Sequence, residues 1–169
     1  MRPPLDHMFI RNARDDSKYR GTPGVHSLLE PDASPAGGAF GPVRSSGTKN
    51  HQGWDLYAPV NTPVYAIADG KIVTATRGHD LGNYVVLRLS YGGRELYAVY
   101  GHLCHIAVGE SQLVKEGAVL GQSGTDGNAN GTPPHLHFEI RTVKDPPRHS
   151  GLHYRVSPGS ILGGHYGLH

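Results

Sequence analysis

The sequence predicts a mainly β fold, a small antiparallel sheet with little helix, and three observations support this. The 169-residue chain contains 24 glycines and 13 prolines, a composition typical of many short strands joined by turns. Several runs of branched and aromatic residues lie between those turns. One run, residues 135–141, alternates cleanly between polar and apolar positions, as a strand with one buried face does.

The predicted strands follow one another from residue 40 onward. Residues 63–68 and 71–75 are β-prone, and Asp69-Gly70 between them is typical of a hairpin turn. Residues 83–90 and 95–100 predict a second pair, joined across residues 91–94, and residues 119–121 and 135–141 predict two further strands. The flanks differ from this pattern. We therefore expect a loop-rich N-terminal extension over 1–39, a domain over 40–143 and a C-terminal tail over 144–169.

Bulk composition excludes several classes of protein. The formal net charge is only +2, and no basic run with interleaved aromatic residues points to nucleic acid. No run of 18 or more apolar residues predicts insertion into a membrane. Cys104 is the single cysteine, so no intramolecular disulfide is expected. Its neighbour His105 would face the other side of a strand, which favours a half-buried structural thiol over a nucleophile.

The strongest local motif is His135-Leu136-His137-Phe138. On a strand, the two histidines point to one face, about 6.6–6.8 Å apart along the chain, while Leu136 and Phe138 face the core. Two imidazoles side by side suit one metal ligand with one catalytic neighbour. A pair of ordinary surface histidines is the alternative for this motif taken alone.

Two further motifs carry histidine. His51 and Asp55 are four residues apart, and Gly53 between them favours an extended or looped backbone. Both are acceptable zinc ligands, although a surface loop with a His–Asp hydrogen bond would look the same. His102, in Tyr-Gly-His-Leu at the predicted end of a strand, decides nothing alone.

Taken together, these motifs predict a catalytic zinc site. Three protein ligands with a fourth position for water are typical of such sites. His51, Asp55 and one of the two histidines His135 and His137 supply three ligands. The other one and His102 remain for proton transfer and transition-state stabilisation, which hydrolysis requires.

The set of motifs resembles the lysostaphin/LytM-type zinc metallopeptidase family, bacterial enzymes that cut peptides in peptidoglycan. The resemblance runs from residue 40 to residue 141 and includes stretches 66–73, 82–86 and 115–124. It implies one zinc ion per chain, held by His51, Asp55 and His137, with His102 and His135 as the catalytic histidines. The implied fold, of the duplicated hybrid motif type, is a small antiparallel sheet with a groove walled by loops.

The resemblance implies an endopeptidase that acts on peptidoglycan stem peptides or cross-links in the cell envelope, the periplasm or outside the cell. A non-catalytic relative that binds cell wall or activates another hydrolase is the alternative, but such relatives usually lack some of the five residues. The N-terminus has no apolar stretch typical of a secretory signal. One interpretation is an antibacterial toxin exported by another route and neutralised by a specific immunity protein.

Eight further histidines are predicted to lie on the surface. They are His7, His26, His79, His105, His149, His153, His165 and His169.

Overall fold

The fold is built from short strands in a computed structural model that describes residues 1–11, 38–44 and 49–162. The strands and the helix in these ranges are β1 (Gly41–Arg44), β2 (Lys49–His51), β3 (Trp54–Tyr57), β4 (Pro63–Tyr65), β5 (Gly70–Gly78), β6 (Gly82–Tyr91), β7 (Arg94–Ile106), β8 (Leu113–Val114), β9 (Val119–Ser123), β10 (His135–Arg141), β11 (Arg155–Val156) and α1 (Pro158–Leu162). A single 3₁₀ turn, Gly127–Ala129, precedes β10 within these ranges. The mainly β prediction is confirmed.

Nine of these strands form one antiparallel sheet, with a central path β11-β10-β7-β6-β5-β8. Strand β9 pairs with β4 and β7, and β3 pairs with β10. Strand β10 therefore has β7 along one side and β3 followed by β11 along the other. Residues on β10 consequently meet three separate parts of the chain.

The apolar core fixes the register of the strands around β10. Leu136 lies opposite Leu56, and Phe138 lies opposite both Trp54 and Tyr100. All five side chains are fully buried. Burial of one such side chain contributes about 1.5–3 kcal/mol, so a slip by one residue would expose the whole layer. The alternate residues of these strands are thereby turned to the opposite face.

The hairpin predicted at Asp69-Gly70 is wrong. Strand β4 pairs with β9, whereas β5 pairs with β6 and β8. Gly70 begins β5, where a Cβ atom would lie 2.2 Å from the carbonyl oxygen of Arg88 on β6. The glycine thus permits close approach of two strands rather than a turn. The second predicted hairpin is confirmed, since β6 and β7 pair up to Tyr91 and Arg94.

Segments outside the predicted domain join the same body. Leu5, Met8 and Ile10 belong to the hydrophobic core, and the Tyr57 amide donates to the Phe9 carbonyl at 2.8 Å. Strand β11 in the predicted tail pairs with β10. The boundaries after residues 39 and 143 stay predictions, and residues 12–37 and 163–169 lie outside the described part of the chain.

Two smaller findings complete the comparison with the sequence. Among the described residues, no helix has the length and apolar character needed to cross a membrane. Cys104 is exposed rather than half-buried, and its thiol donates to Asn61 Oδ1 at 3.2 Å. It lies near the end of β7, beyond the part of that strand that packs on the core.

Candidate metal centre

Strand register places two of the predicted ligands next to each other. His137 on β10 lies directly opposite Asp55 on β3, on the face turned away from the core. His51 ends β2, and Gly53 leads into β3. A Cβ atom on Gly53 would lie 2.3 Å from the carbonyl oxygen of Phe138. Only glycine therefore lets the chain pass β10 closely enough to bring His51 beside Asp55.

The three predicted ligands form one buried cluster. Candidate ligand atoms of His51, Asp55 and His137 all lie within 4.8 Å of one another. Asp55 Oδ1 is 3.2 Å from His51 Nε2 and 3.0 Å from His137 Nδ1. These three side chains are buried, so a cation placed among them would be shielded from bulk water.

The outer nitrogens of both imidazoles are occupied, which orients the inner ones. His51 Nδ1 donates to the Ala39 carbonyl at 2.9 Å, so its Nε2 lone pair faces Asp55. His137 Nε2 lies 3.3 Å from Glu139 Oε2, so its Nδ1 faces Asp55. Metal-bound histidines usually have such an outer partner. Two imidazole nitrogens and a carboxylate oxygen therefore match the donors that zinc takes in proteins.

Electrostatics keep the centre charged in the metal-free protein. Burial would raise the pKa of Asp55, but nearby His135 and His51 hold that pKa well below its usual range. Burial would also lower the pKa of His137, but the carboxylates of Asp55 and Glu139 outweigh it and raise the pKa to about 9. Near neutral pH, a proton on His137 thus occupies the position that a metal would take.

His135 lies beside this cluster without completing it. Its Nδ1 donates to the Pro133 carbonyl at 2.8 Å, and its Nε2 lies 3.8 Å from Asp55 Oδ1. Burial lowers the pKa of His135, so the ring is neutral near pH 7. It presents an unprotonated Nε2 to the groove, as a general base must.

A bulge in β7 turns His102 to the same face. Between the pairs Val85–Tyr100 and Asn83–Leu103, β7 has one residue more than β6. Tyr100 and Leu103 both enter the core, and His102 takes a left-handed backbone conformation with φ 61°. Bulges commonly redirect a side chain next to a functional site. His102 is therefore within β7 rather than at the predicted end of a strand.

The redirected His102 ring is held by a pinned loop. Its Nδ1 donates to the Asp126 carbonyl at 2.8 Å, while the Asp126 carboxylate accepts two bonds of 3.0 Å from Arg77. Burial, followed by the charge of His135, lowers the pKa of His102 to about 4. The His102 and His135 rings lie 5.0 Å apart between centroids, so two neutral imidazoles stand side by side.

All five predicted residues line one groove of about 660 Å³. Sequence reasoning missed Glu139, although it shares the face of His135 and His137 by simple alternation along β10. It also missed Asp126, whose role depends on a loop that no pattern predicts. The predicted surface positions of five other histidines are confirmed, and His26, His165 and His169 lie outside the described ranges. The five exposed ones are His7, His79, His105, His149 and His153.

Comparison with known proteins gives a consistent result. The family model described as Peptidase family M23 matches residues 49–159. Peptidoglycan DD-endopeptidase ShyA of Vibrio cholerae is 42% identical over 91 residues, which are 53% of this chain and 20% of that protein. The chain thus matches about a fifth of the length of this relative.

Two solved structures are also similar. The catalytic domain of the antimicrobial peptidase lysostaphin from Staphylococcus simulans has a TM-score of 0.60 and 31% identity, covering 74% of this chain and 88% of that one. A zinc-containing peptidase from Vibrio cholerae has a TM-score of 0.55 and 29% identity, covering 82% of this chain and 36% of that one.

Proposed function

Because the chain belongs to peptidase family M23, we propose that it is a zinc-dependent endopeptidase that hydrolyses peptide bonds in bacterial peptidoglycan. One observation carries the proposal. The ligand atoms of His51, Asp55 and His137 lie within 4.8 Å of one another, beside the two neutral imidazoles of His102 and His135. This is a metal-ligand trio with proton-transfer groups next to it, on the floor of an open groove.

The donor set suits zinc and the chemistry of hydrolysis. A zinc ion held by three protein ligands polarises a substrate carbonyl and lowers the pKa of the attacking water to about 7. His51 and His137 are neutral ligands when metal is bound, and Asp55 contributes one negative charge. The site would keep a net positive charge, which favours an oxyanion.

His102 and His135 would handle the protons. Both donate Nδ1–H to a backbone carbonyl, so both present a bare Nε2 toward the groove. Near pH 7 either ring can therefore accept the proton of the attacking water. The ring that accepts becomes a cation and can donate from Nε2, either to the oxyanion or to the leaving amine.

Peptidoglycan is proposed as the substrate because the similar protein ShyA is named a peptidoglycan DD-endopeptidase. The groove is long enough for a peptide to lie across the metal centre, with a volume of about 660 Å³. Bonds within the stem peptide or in the cross-link between stems are the candidates. The cell envelope or the medium outside the cell would be the place of action.

Digestion of defined peptidoglycan tests the function. Zinc-loaded protein is incubated with purified sacculi of known cross-link chemistry, and the products are identified by liquid chromatography and mass spectrometry. New amino and carboxyl ends in the peptide portion are expected, and chelation should abolish them. Products cut only in the glycan strand, or none with fully zinc-loaded protein, would refute the proposal.

The antibacterial use is proposed on narrower ground, since the similar lysostaphin domain is described as an antimicrobial peptidase. Expression targeted to the periplasm of a Gram-negative host should cause lysis, whereas cytoplasmic expression should not. His135→Ala protein, targeted in the same way, is the matched control. A specific immunity protein would be sought by selecting genes that protect the host.

A further inference from the structure

A buried carboxylate connects the proposed ligand His137 to the C-terminal segment. Glu139 is two residues after His137 on the same face of β10, and only 1% of it is exposed. Its Oε2 lies 3.3 Å from His137 Nε2. Its Oε1 accepts from Arg141 Nε at 2.8 Å and from Arg155 Nε at 2.6 Å. The carboxylate thus has one oxygen for the histidine and one shared by two arginines.

The arrangement is unusual for a purely structural ion pair. One guanidinium balances the charge of one carboxylate, and isolated buried pairs add little stability over apolar packing. Here two guanidinium groups converge on Glu139 Oε1. They leave Oε2 directed at the edge of the His137 ring opposite Nδ1, with a further contact of 3.3 Å from Arg141 Nη2.

Arg155 is itself fixed by the chain around it. Its Nη1 donates to Ser150 Oγ and the Gly151 carbonyl, each at 2.9 Å, and to the His153 carbonyl at 3.2 Å. Its side chain is only 6% exposed. Arg141 Nη1 donates to the Lys144 carbonyl at 3.3 Å. The loop after β10 is therefore tied to the glutamate where it leaves the strand and where it returns.

We propose that Glu139 and Arg155 are positioning residues of the metal centre. Arg155 holds the Glu139 carboxylate so that it accepts Nε2–H of His137, which presents Nδ1 to zinc. The inference rests on the zinc site of the proposed function. It assigns the segment after residue 143 a part in that site, although the sequence offers only a loop-like tail there.

The wild-type protein provides a first test that needs no substitution. Long-range ¹H–¹⁵N correlation spectra of the zinc-loaded protein identify which nitrogen of each imidazole carries a proton. We expect His137 to be protonated at Nε2, hydrogen-bonded to Glu139, and bound to zinc through Nδ1. A spectrum with His137 protonated at Nδ1 and metal on Nε2 would overturn the inference.

Two conservative variants test the positioning itself. Glu139→Gln keeps the shape but loses the charge, and Arg155→Lys keeps the charge but loses the forked contacts. Zinc affinity is measured by chelator competition at about pH 9.5, where the proton on His137, with its pKa of about 9, competes little. Outer partners of metal ligands typically change metal affinity by about 10–100-fold. We expect a loss in that range for Glu139→Gln and a smaller loss for Arg155→Lys.

Cobalt substitution adds a readout that a merely structural role would not change. The visible absorption bands of bound Co²⁺ report ligand geometry, and both variants should shift them. Arg88→Lys is the matched control, because Arg88 is an exposed arginine that pairs with Glu95 at 3.7 Å on the same sheet. Melting of the metal-free proteins, followed by circular dichroism, separates loss of fold from loss of ligand geometry.

The outcomes are distinct. Both variants within about twofold of wild-type zinc affinity, with unchanged cobalt bands, would refute the positioning role. In that case wild-type protein that binds zinc and cleaves peptidoglycan would still support the proposed function. Wild-type protein that binds no zinc would refute both. If Glu139→Gln does not fold, Arg155→Lys and the wild-type spectrum decide the matter.

Discussion

Zinc binding to the metal-free protein should displace a proton from His137. The carboxylates of Asp55 and Glu139 overcome the effect of burial and raise the pKa of His137 to about 9. At pH 7 only about one molecule in a hundred then has Nδ1 free, which opposes zinc by about 2.7 kcal/mol. Apparent zinc affinity should therefore rise about tenfold from pH 7 to pH 8 and level off above pH 9.

Two measurements check this linkage. Competition with a chelator, corrected for the protonation of the chelator itself, gives the affinity at each pH. Calorimetry in buffers of different ionisation enthalpy gives the protons released, and about one per zinc is expected near pH 7.5. His105→Asn, which removes an exposed histidine, should leave both results unchanged. Affinity independent of pH between 7 and 9, with no proton released, would refute the electrostatic reasoning.

Other variants probe the remaining parts of the centre. His51→Ala should lose both zinc and activity, whereas His135→Ala should keep zinc and lose about a hundredfold or more in kcat. His102→Asn, which tolerates positive φ, should flatten the acid side of the stability profile. The pKa of His102 is about 4 in the fold and about 6.5 unfolded, so the unfolded chain binds more protons between these values. Stability should fall as pH drops from 6.5 to 4, by about 3 kcal/mol for this residue. Gly53→Ala would place a Cβ atom 2.3 Å from the Phe138 carbonyl oxygen, so we expect about 2 kcal/mol of destabilisation and weaker zinc binding.

Each of these variants has a measurement that can contradict it. Full activity of zinc-loaded His135→Ala would remove that residue from the mechanism. Stability of the metal-free proteins, from urea melts at several pH values, should show a shallower acid slope for His102→Asn than for wild type. Equal slopes would mean that His102 does not titrate as its burial implies. Unchanged zinc affinity and melting in Gly53→Ala would mean that β10 and the segment before β3 can separate at little cost.

Much of the metal centre could be predicted because strand alternation is a local rule. His135 and His137 share a face wherever that strand pairs, so the sequence alone placed them together. The role of each within the pair came from the family resemblance. Their proximity to Asp55 depends on the register of β3 and β10, which the buried pair of Leu136 and Leu56 sets. That register lies in no single stretch of sequence.

Other features depend on contacts distant in sequence. The Asp69-Gly70 pair has the composition of a turn, yet packing of β5 against β6 decided its conformation. His102 faces the groove only because of a bulge, since regular alternation would place it with Tyr100 in the core. Arg155 gave no signal, because its partner Glu139 lies on another strand.

The segment before the matched family stretch protects an edge of the sheet. Ile10 forms a bridge to Leu56, and the Arg11 amide donates to the Asp55 carbonyl at 2.8 Å. Without residues 1–11, β3 would offer unpaired amide and carbonyl groups to any passing extended chain. A shortened domain confined to residues 49–159 would therefore be prone to aggregate through the strand that carries a metal ligand. Solubility and catalysis are coupled at Asp55, and domain exchanges between relatives should retain this short stretch.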